Sequence, residues 1–79
     1  MNETMTGREA LVAAIRDGIR HQIRVLREHD ASAQEYRRKA SLYAQAGHYE
    51  LAGQVYGYAH ADADVAERAA AYLVKAGAS

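Results

Sequence analysis

Four arginines are the side chains best suited to bind an anionic molecule. They recur every three or four residues and so share one side of a helix: Arg16, Arg20, Arg24 and Arg27. Guanidinium groups in such a row bind carboxylates or phosphates, which indicates an acidic protein or a nucleic acid as partner. The simpler interpretation, which we favour, is a solvated helix surface partly neutralised by Glu9, Asp17 and Glu28. A formal net charge of zero gives no overall field to attract nucleic acid, so we expect none to bind.

Tyrosines suggest a contact surface of a different kind. The chain has six Tyr and no Phe, and a ring with a hydroxyl is favoured at the border between a core and an interface. Tyr36, Tyr43, Tyr49 and Tyr56 are expected to pack in the core. Tyr58 and Tyr72 are expected to contact another chain. The predicted protein interface consists of Leu51, Val55, Tyr58, Val65 and Tyr72.

No set of side chains indicates catalysis or a bound cofactor. The four histidines lack the spacing of metal ligands, and a zinc site at His60 and Asp64 requires at least two more ligands. Thr6 and Ser32 are better explained as helix caps than as nucleophiles. Gly53 and Gly57 match a helix-crossing motif, which we interpret as coincidence. We therefore predict no catalytic residue, no metal, no cofactor and no small-molecule substrate.

The elements that carry these residues are helices. Thr6 and Glu9 form a capping box that opens a first helix over about 7–29. Its apolar side has spacings of three and four: Leu11, Val12, Ile15, Ile19, Ile23 and Leu26. Gly18, at the edge of this side, either admits a neighbouring helix or is incidental. Ser32 and Glu35 form a second capping box, which predicts a break at 30–32 and a second helix over 33–46, ended by Gly47.

A third helix is predicted over about 48–76. Its two apolar rows cover about 200° of its surface, which is more than one neighbouring helix requires. Asp62 lies within one row; it pairs with an arginine or splits the helix in two, and we favour a continuous helix. The predicted fold is all-α, an antiparallel three-helix bundle in a single domain, with residues 1–5 as a flexible N-terminus.

The segment from Tyr36 to Ala59 resembles one tetratricopeptide repeat. Its aromatic, small and turn residues follow the order of that family: Tyr36, Ala40, Tyr43, Gly47, Tyr49, Ala52, Tyr56 and Ala59. It departs from the family by having Lys39-Ala40 in place of Leu-Gly and Asp64 in place of the terminal Pro. Only one copy is present, whereas about three are needed for stability. The resemblance implies a helical hairpin and the binding of peptides or proteins.

Composition indicates too few large apolar side chains to stabilise a single domain by itself. Among 79 residues there are 18 Ala but only five Leu, five Val and three Ile, with no Cys, so we expect a homo-oligomer. The N-terminus lacks the features of a secretory signal, and no apolar run is long enough to span a membrane, so we expect a cytoplasmic protein. Eight Arg against two Lys is typical of a GC-rich bacterial or phage genome.

We therefore predict a small non-catalytic protein–protein interaction module that self-associates or binds a protein partner. One alternative is a small DNA-binding regulator that uses the arginine side of the first helix. Another is a phage or toxin–antitoxin component that inhibits a host protein.

Overall fold

The chain folds as a helical hairpin. The computed structural model describes residues 6–78, apart from the side chain of Ala78. Two antiparallel helices, α1 (Gly7–Gln45) and α2 (Tyr49–Ala78), are joined by a turn at 46–48, and the hairpin measures 63 × 29 × 13 Å. The all-helical prediction is confirmed, but the predicted three-helix bundle is wrong. The predicted flexible N-terminus, residues 1–5, lies outside the described residues.

The start of α1 is the capping box that the sequence predicts. The Thr6 hydroxyl accepts a hydrogen bond from the Glu9 N–H, and the Glu9 carboxylate accepts one from the Thr6 N–H, both at 3.1 Å. These bonds hold the pKa of the Glu9 carboxyl below its usual value, with the Thr6 backbone making the larger contribution. Two N–H groups at the helix start that would otherwise lack a partner are thereby satisfied.

The predicted break at 30–32 is absent because the second capping box does not form. The Ser32 hydroxyl donates to Oδ2 of Asp62 on α2, at 2.6 Å, instead of capping its own helix. Glu35 binds the Arg38 guanidinium through two hydrogen bonds, of 3.1 and 2.6 Å. With these side chains engaged elsewhere and no Pro or Gly nearby, α1 continues through the segment. The predicted helices 7–29 and 33–46 are one helix.

The turn at Gly47 is confirmed in atomic detail. Gly47 has φ of 87°, a conformation that glycine adopts without the strain a side chain causes. The Gly47 N–H donates to the Ala44 carbonyl at 3.0 Å, and the His48 N–H donates to the Tyr43 carbonyl at 2.9 Å. This pair of bonds is the Schellman arrangement that ends many helices. The short turn folds α2 back along α1.

The two helices meet along a seam with spacings of three and four residues, as in a coiled coil. On α1 the seam residues are Ile19, Gln22, Leu26, His29, Ala33, Tyr36 and Ala40, and on α2 they are Ala52, Val55, Ala59, Asp62, Ala66, Ala69, Leu73 and Ala76. The buried members are alanines and Val55 alone. Small side chains allow the helices to lie close together, but their burial contributes little free energy per residue.

The continuous helix that we favoured through Asp62 is confirmed, because α2 is one helix from Tyr49 to Ala78.

Four tyrosines expected in the core are not buried there. Tyr49 is 74% exposed, Tyr56 40% and Tyr43 37%, while Tyr36 lies in the seam but is only half-buried. A hairpin has no third helix to cover them, and the seam itself is filled by smaller residues. Leu11 and Val12 are exposed as well, because α1 has 39 residues against 30 in α2, so its first turns extend beyond the end of α2.

Candidate protein interface

Four apolar side chains spaced seven residues apart form one side of α2. Leu51, Tyr58, Val65 and Tyr72 all flank the seam on the same side, because a repeat of seven keeps a fixed position in a coiled coil. Tyr58 is 57% exposed, Tyr72 45% and Leu51 40%, and Val65 is half-buried. We call the surface formed by these four residues, with Gly18 and Val25 of α1, the Tyr58 face.

Contacts between the helices determine which part of α1 belongs to this face. The Tyr72 hydroxyl lies 3.1 Å from the point that a Cβ on Gly18 would occupy, so the absence of a side chain at Gly18 makes room for Tyr72. Of the two interpretations of Gly18, the first is therefore correct. Val25 lies seven residues after Gly18, and Val65 seven before Tyr72, which places the two valines opposite each other on this face.

Val55 does not belong to the exposed face. The sequence placed it in the predicted interface with the four residues above, but the structure places it in the seam, where it is 8% exposed. The remaining four predicted residues share one side of the hairpin. Next to Val55, the Tyr58 ring contacts Tyr36 of α1, with ring centroids 5.6 Å apart and planes inclined at 56°. This contact fixes the Tyr58 ring while leaving its outer surface exposed.

A polar cluster interrupts the seam beneath the Tyr58 face. Oδ1 of Asp62 lies 2.7 Å from Nδ1 of His29, and Oδ2 accepts the Ser32 hydroxyl. The Ser32 bond, followed by the His29 bond, holds the pKa of the Asp62 carboxyl below its usual value. This is not a nucleophile–base arrangement, because the serine donates to the carboxylate and not to the imidazole.

Two predictions about this cluster are corrected by its geometry. Asp62 pairs with neither an arginine nor a helix start, and Ser32 is not a cap. His29, for which the sequence indicated no partner, is bonded to Asp62 across the seam. The signal that the sequence offered is the repeat of seven: Asp62 continues the series from Val55 to Ala69, and His29 lies seven residues before Tyr36. Treating the two helices as an antiparallel pair with this repeat would have placed His29 and Asp62 opposite each other.

The arginine row lies on the other side of α1, away from Val25. All four of its members, Arg16, Arg20, Arg24 and Arg27, are exposed. Three of them, with Ile23 and Glu28, line a shallow groove along α1. Among residues 6–78 no carboxylate lies within ion-pair distance of the row, so the partial neutralisation expected from Glu9, Asp17 and Glu28 does not take the form of ion pairs.

The hairpin exposes more surface than a compact monomer. Its accessible surface is 6008 Å², whereas a globular protein of 8.7 kDa is expected to expose about 4,700 Å². The excess of about 1,300 Å² exceeds the ~800 Å² that each partner buries in an interface of standard size. No large side chain in the described part of the chain is fully buried.

Residues 6–78 contain neither a cluster of metal ligands nor a membrane-spanning helix. No three His, Asp or Glu side chains come together where a metal ion would bind. Neither described helix contains an apolar stretch long enough to cross a lipid bilayer. Comparison of the chain with protein families, curated proteins and solved structures found no match, so the tetratricopeptide resemblance of residues 36–59 rests on its own residues.

Proposed function

We propose that this chain is a non-catalytic protein–protein interaction module that self-associates through the Tyr58 face. The observation that carries the proposal is the lack of any fully buried large side chain in the hairpin. A seam whose buried members are alanines and Val55 contributes little free energy to holding the two long helices together. A second copy covering the Tyr58 face adds the missing apolar burial.

The composition of the face supports a second copy as its occupant. The surface excess is more than the area that one chain contributes to a standard interface, and a formal net charge of zero creates no repulsion between copies. Tyr58 and Tyr72 combine a large apolar ring with a hydroxyl that tolerates water before assembly. A face of this kind is suited to a protein surface more than to a small ligand, because Leu51, Tyr58 and Tyr72 are each 40% or more exposed on the outer surface of the hairpin.

The test is the molar mass in solution, measured by light scattering over at least a tenfold range of concentration. We expect the unmodified chain to form a dimer or a larger assembly. Tyr58→Lys and Val65→Lys are expected to give helical monomers, because each places a charge in the apolar face. Tyr56→Lys is the matched control: it lies two residues from Tyr58, is 40% exposed and is on the opposite side of the seam.

Each result has a direct meaning. A monomeric Tyr58→Lys beside an assembled Tyr56→Lys supports the proposal. The reverse pattern would assign the interface to the other face of the hairpin. A monomeric unmodified chain at every concentration would rule out self-association and leave a different protein as the partner.

The arginine row supports a second candidate, the binding of an acidic protein or a nucleic acid. The specific observation is that four neighbouring guanidinium groups have no carboxylate partner among the described residues. Like charges four residues apart on a helix cost about 0.2–0.5 kcal/mol per pair, which an anionic partner would relieve. Four phosphate contacts would make duplex DNA affinity fall about a hundredfold between 50 and 200 mM salt.

The matched variants for this candidate differ only in where two charges are removed. Arg20→Ala/Arg24→Ala is expected to abolish binding, and Arg37→Ala/Arg68→Ala to preserve most of it. Absence of duplex binding by the unmodified chain at low salt rules out the nucleic-acid form of this candidate. An acidic peptide that binds with the same dependence on Arg20 and Arg24 would support the acidic-protein form.

A further inference from the structure

Building on the proposed self-association, we infer how the two copies are oriented. They stack their Tyr58 faces with both turns at the same end, so that α1 of one copy lies on α2 of the other. The assembly is a four-helix bundle with its two-fold axis parallel to the helices. A closed dimer uses the same surface on both copies, so a two-fold axis within the interface is required.

Only one other arrangement brings the same faces together. Its two-fold axis is perpendicular to the helices, so the turns lie at opposite ends and α1 packs on α1 of the other copy. The two arrangements bury the same Tyr58 face. They differ in which charged residues at the edges of this face lie next to each other across the interface.

The edges of the face carry opposite charges. Glu28 lies three residues after Val25, and Arg68 three residues after Val65, so each borders the face on the outer side of its own helix. Neither residue has an ion-pair partner among the described residues. One edge of the Tyr58 face therefore has an unpaired acid and the other an unpaired base.

With the turns together, these charges approach each other. Because Val25 lies opposite Val65, Arg68 is level with residue 22 of α1, six residues before Glu28. At about 1.5 Å per residue, Glu28 and Arg68 of the other copy are about 9 Å apart along the bundle. Helical side chains lean toward the N-terminus of their own helix, so on antiparallel helices these two lean toward each other. The Tyr58 face extends from Gly18 and Tyr72 at one end to Leu51, which lies opposite residue 39, at the other, so its midpoint falls beside Glu28. With the turns at opposite ends, the two-fold axis passes through this midpoint. Glu28 would then face Glu28 of the second copy.

The orientation is measured by the distance between spin labels. The sequence has no Cys, so His48→Cys gives a single label site at the exposed turn. We expect a label-to-label distance of roughly 20–30 Å, from helix spacings of about 8–10 Å plus the two linkers. Turns at opposite ends of the bundle would give a label-to-label distance comparable to the 63 Å length of the hairpin. Arg8→Cys, at the other end of α1, is expected to give a short distance as well.

Charge reversal provides the second measurement. Glu28→Arg is expected to weaken association about two- to thirtyfold, the range for two exposed ion pairs per dimer, and Glu28→Arg/Arg68→Glu to restore it. An assembled chain with labels about 60 Å apart, or a double variant as weak as the single one, overturns the inferred orientation and leaves self-association intact. A monomeric chain instead disproves the proposed function itself.

Discussion

Nδ1 of His29 lies 2.7 Å from Oδ1 of Asp62, a residue 33 positions further along the chain. Ser32, one turn after His29, donates to the other oxygen of the same carboxylate. Both bonds cross the seam, and the nearest seam residues on α2, Ala59 and Ala66, are buried alanines. Because alanines pack similarly in several alignments, a polar group with fixed partners sets the register of α2 against α1.

The first prediction is that Asp62→Ala lowers the stability of the hairpin in a pH-dependent way. The folded state holds the pKa of Asp62 below its usual value, so its contribution is complete above about pH 4, the ordinary range of an aspartate. The contribution is lost as the pH falls through the lowered folded-state value. Urea titrations of both proteins at one concentration, from pH 7 to pH 2.5, are expected to show the full difference at pH 7 and a smaller one in acid.

Asp64→Ala is the matched control for this experiment. Asp64 is exposed, lies two residues from Asp62 and makes no hydrogen bond to α1. Its removal is expected to leave the urea midpoint nearly unchanged. A constant difference between Asp62→Ala and the unmodified chain at every pH would contradict the assigned role of the carboxylate.

The second prediction concerns the closeness of the helices. Ala69 is 2% exposed in the seam, and Ala71 is exposed on the outer side of α2. Ala69→Leu is expected to reduce the free energy of unfolding by about 1–3 kcal/mol, because the larger side chain forces the helices apart. Ala71→Leu is expected to change it by less than about 0.5 kcal/mol. Equal melting temperatures for the two variants would show that the seam has room for larger residues.

The third prediction compares two glycines of opposite expected effect. Gly47→Ala places a side chain at φ of 87° and is expected to destabilise the hairpin by about 1–2 kcal/mol. Gly57→Ala lies within α2, where a Cβ would meet no atom within 4 Å, and is expected to stabilise it by about 0.5–1 kcal/mol. Thermal unfolding at a fixed concentration measures both. A destabilising Gly57→Ala would indicate that another helix crosses α2 at Gly53 and Gly57.

The fourth prediction is local and concerns Thr6. Thr6→Ala removes the acceptor of the Glu9 N–H, a change that costs about 0.5–2 kcal/mol at a helix start. Because α1 extends beyond α2 there, we expect the loss to appear as fraying, with faster amide hydrogen exchange over residues 9–12 and little change in the melting temperature. Thr6→Ser is expected to retain the cap and the exchange rates. A large fall in the melting temperature would mean that this end is covered by another chain.

The sequence alone determined the local features of the chain. The capping box at Thr6 and the turn at Gly47 depend on residues within a few positions of each other, so their chemistry could be read directly. The continuous helix through Asp62 followed from the lack of Pro and of a strong helix-breaking sequence between Tyr49 and Gly77. The same local rules failed at Ser32, because a capping sequence stabilises a helix start only when its side chains have no better partner.

Tertiary structure decided the partners of His29, Ser32 and Asp62 and the side on which each apolar residue lies. These depend on how α2 aligns with α1, a relationship between residues about thirty positions apart that no local pattern specifies. The alignment moved Val55 into the seam and left Tyr58, Val65 and Tyr72 on one side of the hairpin. It also reduced three expected helices to two, and two helices whose seam is mostly alanine leave their larger side chains exposed to solvent.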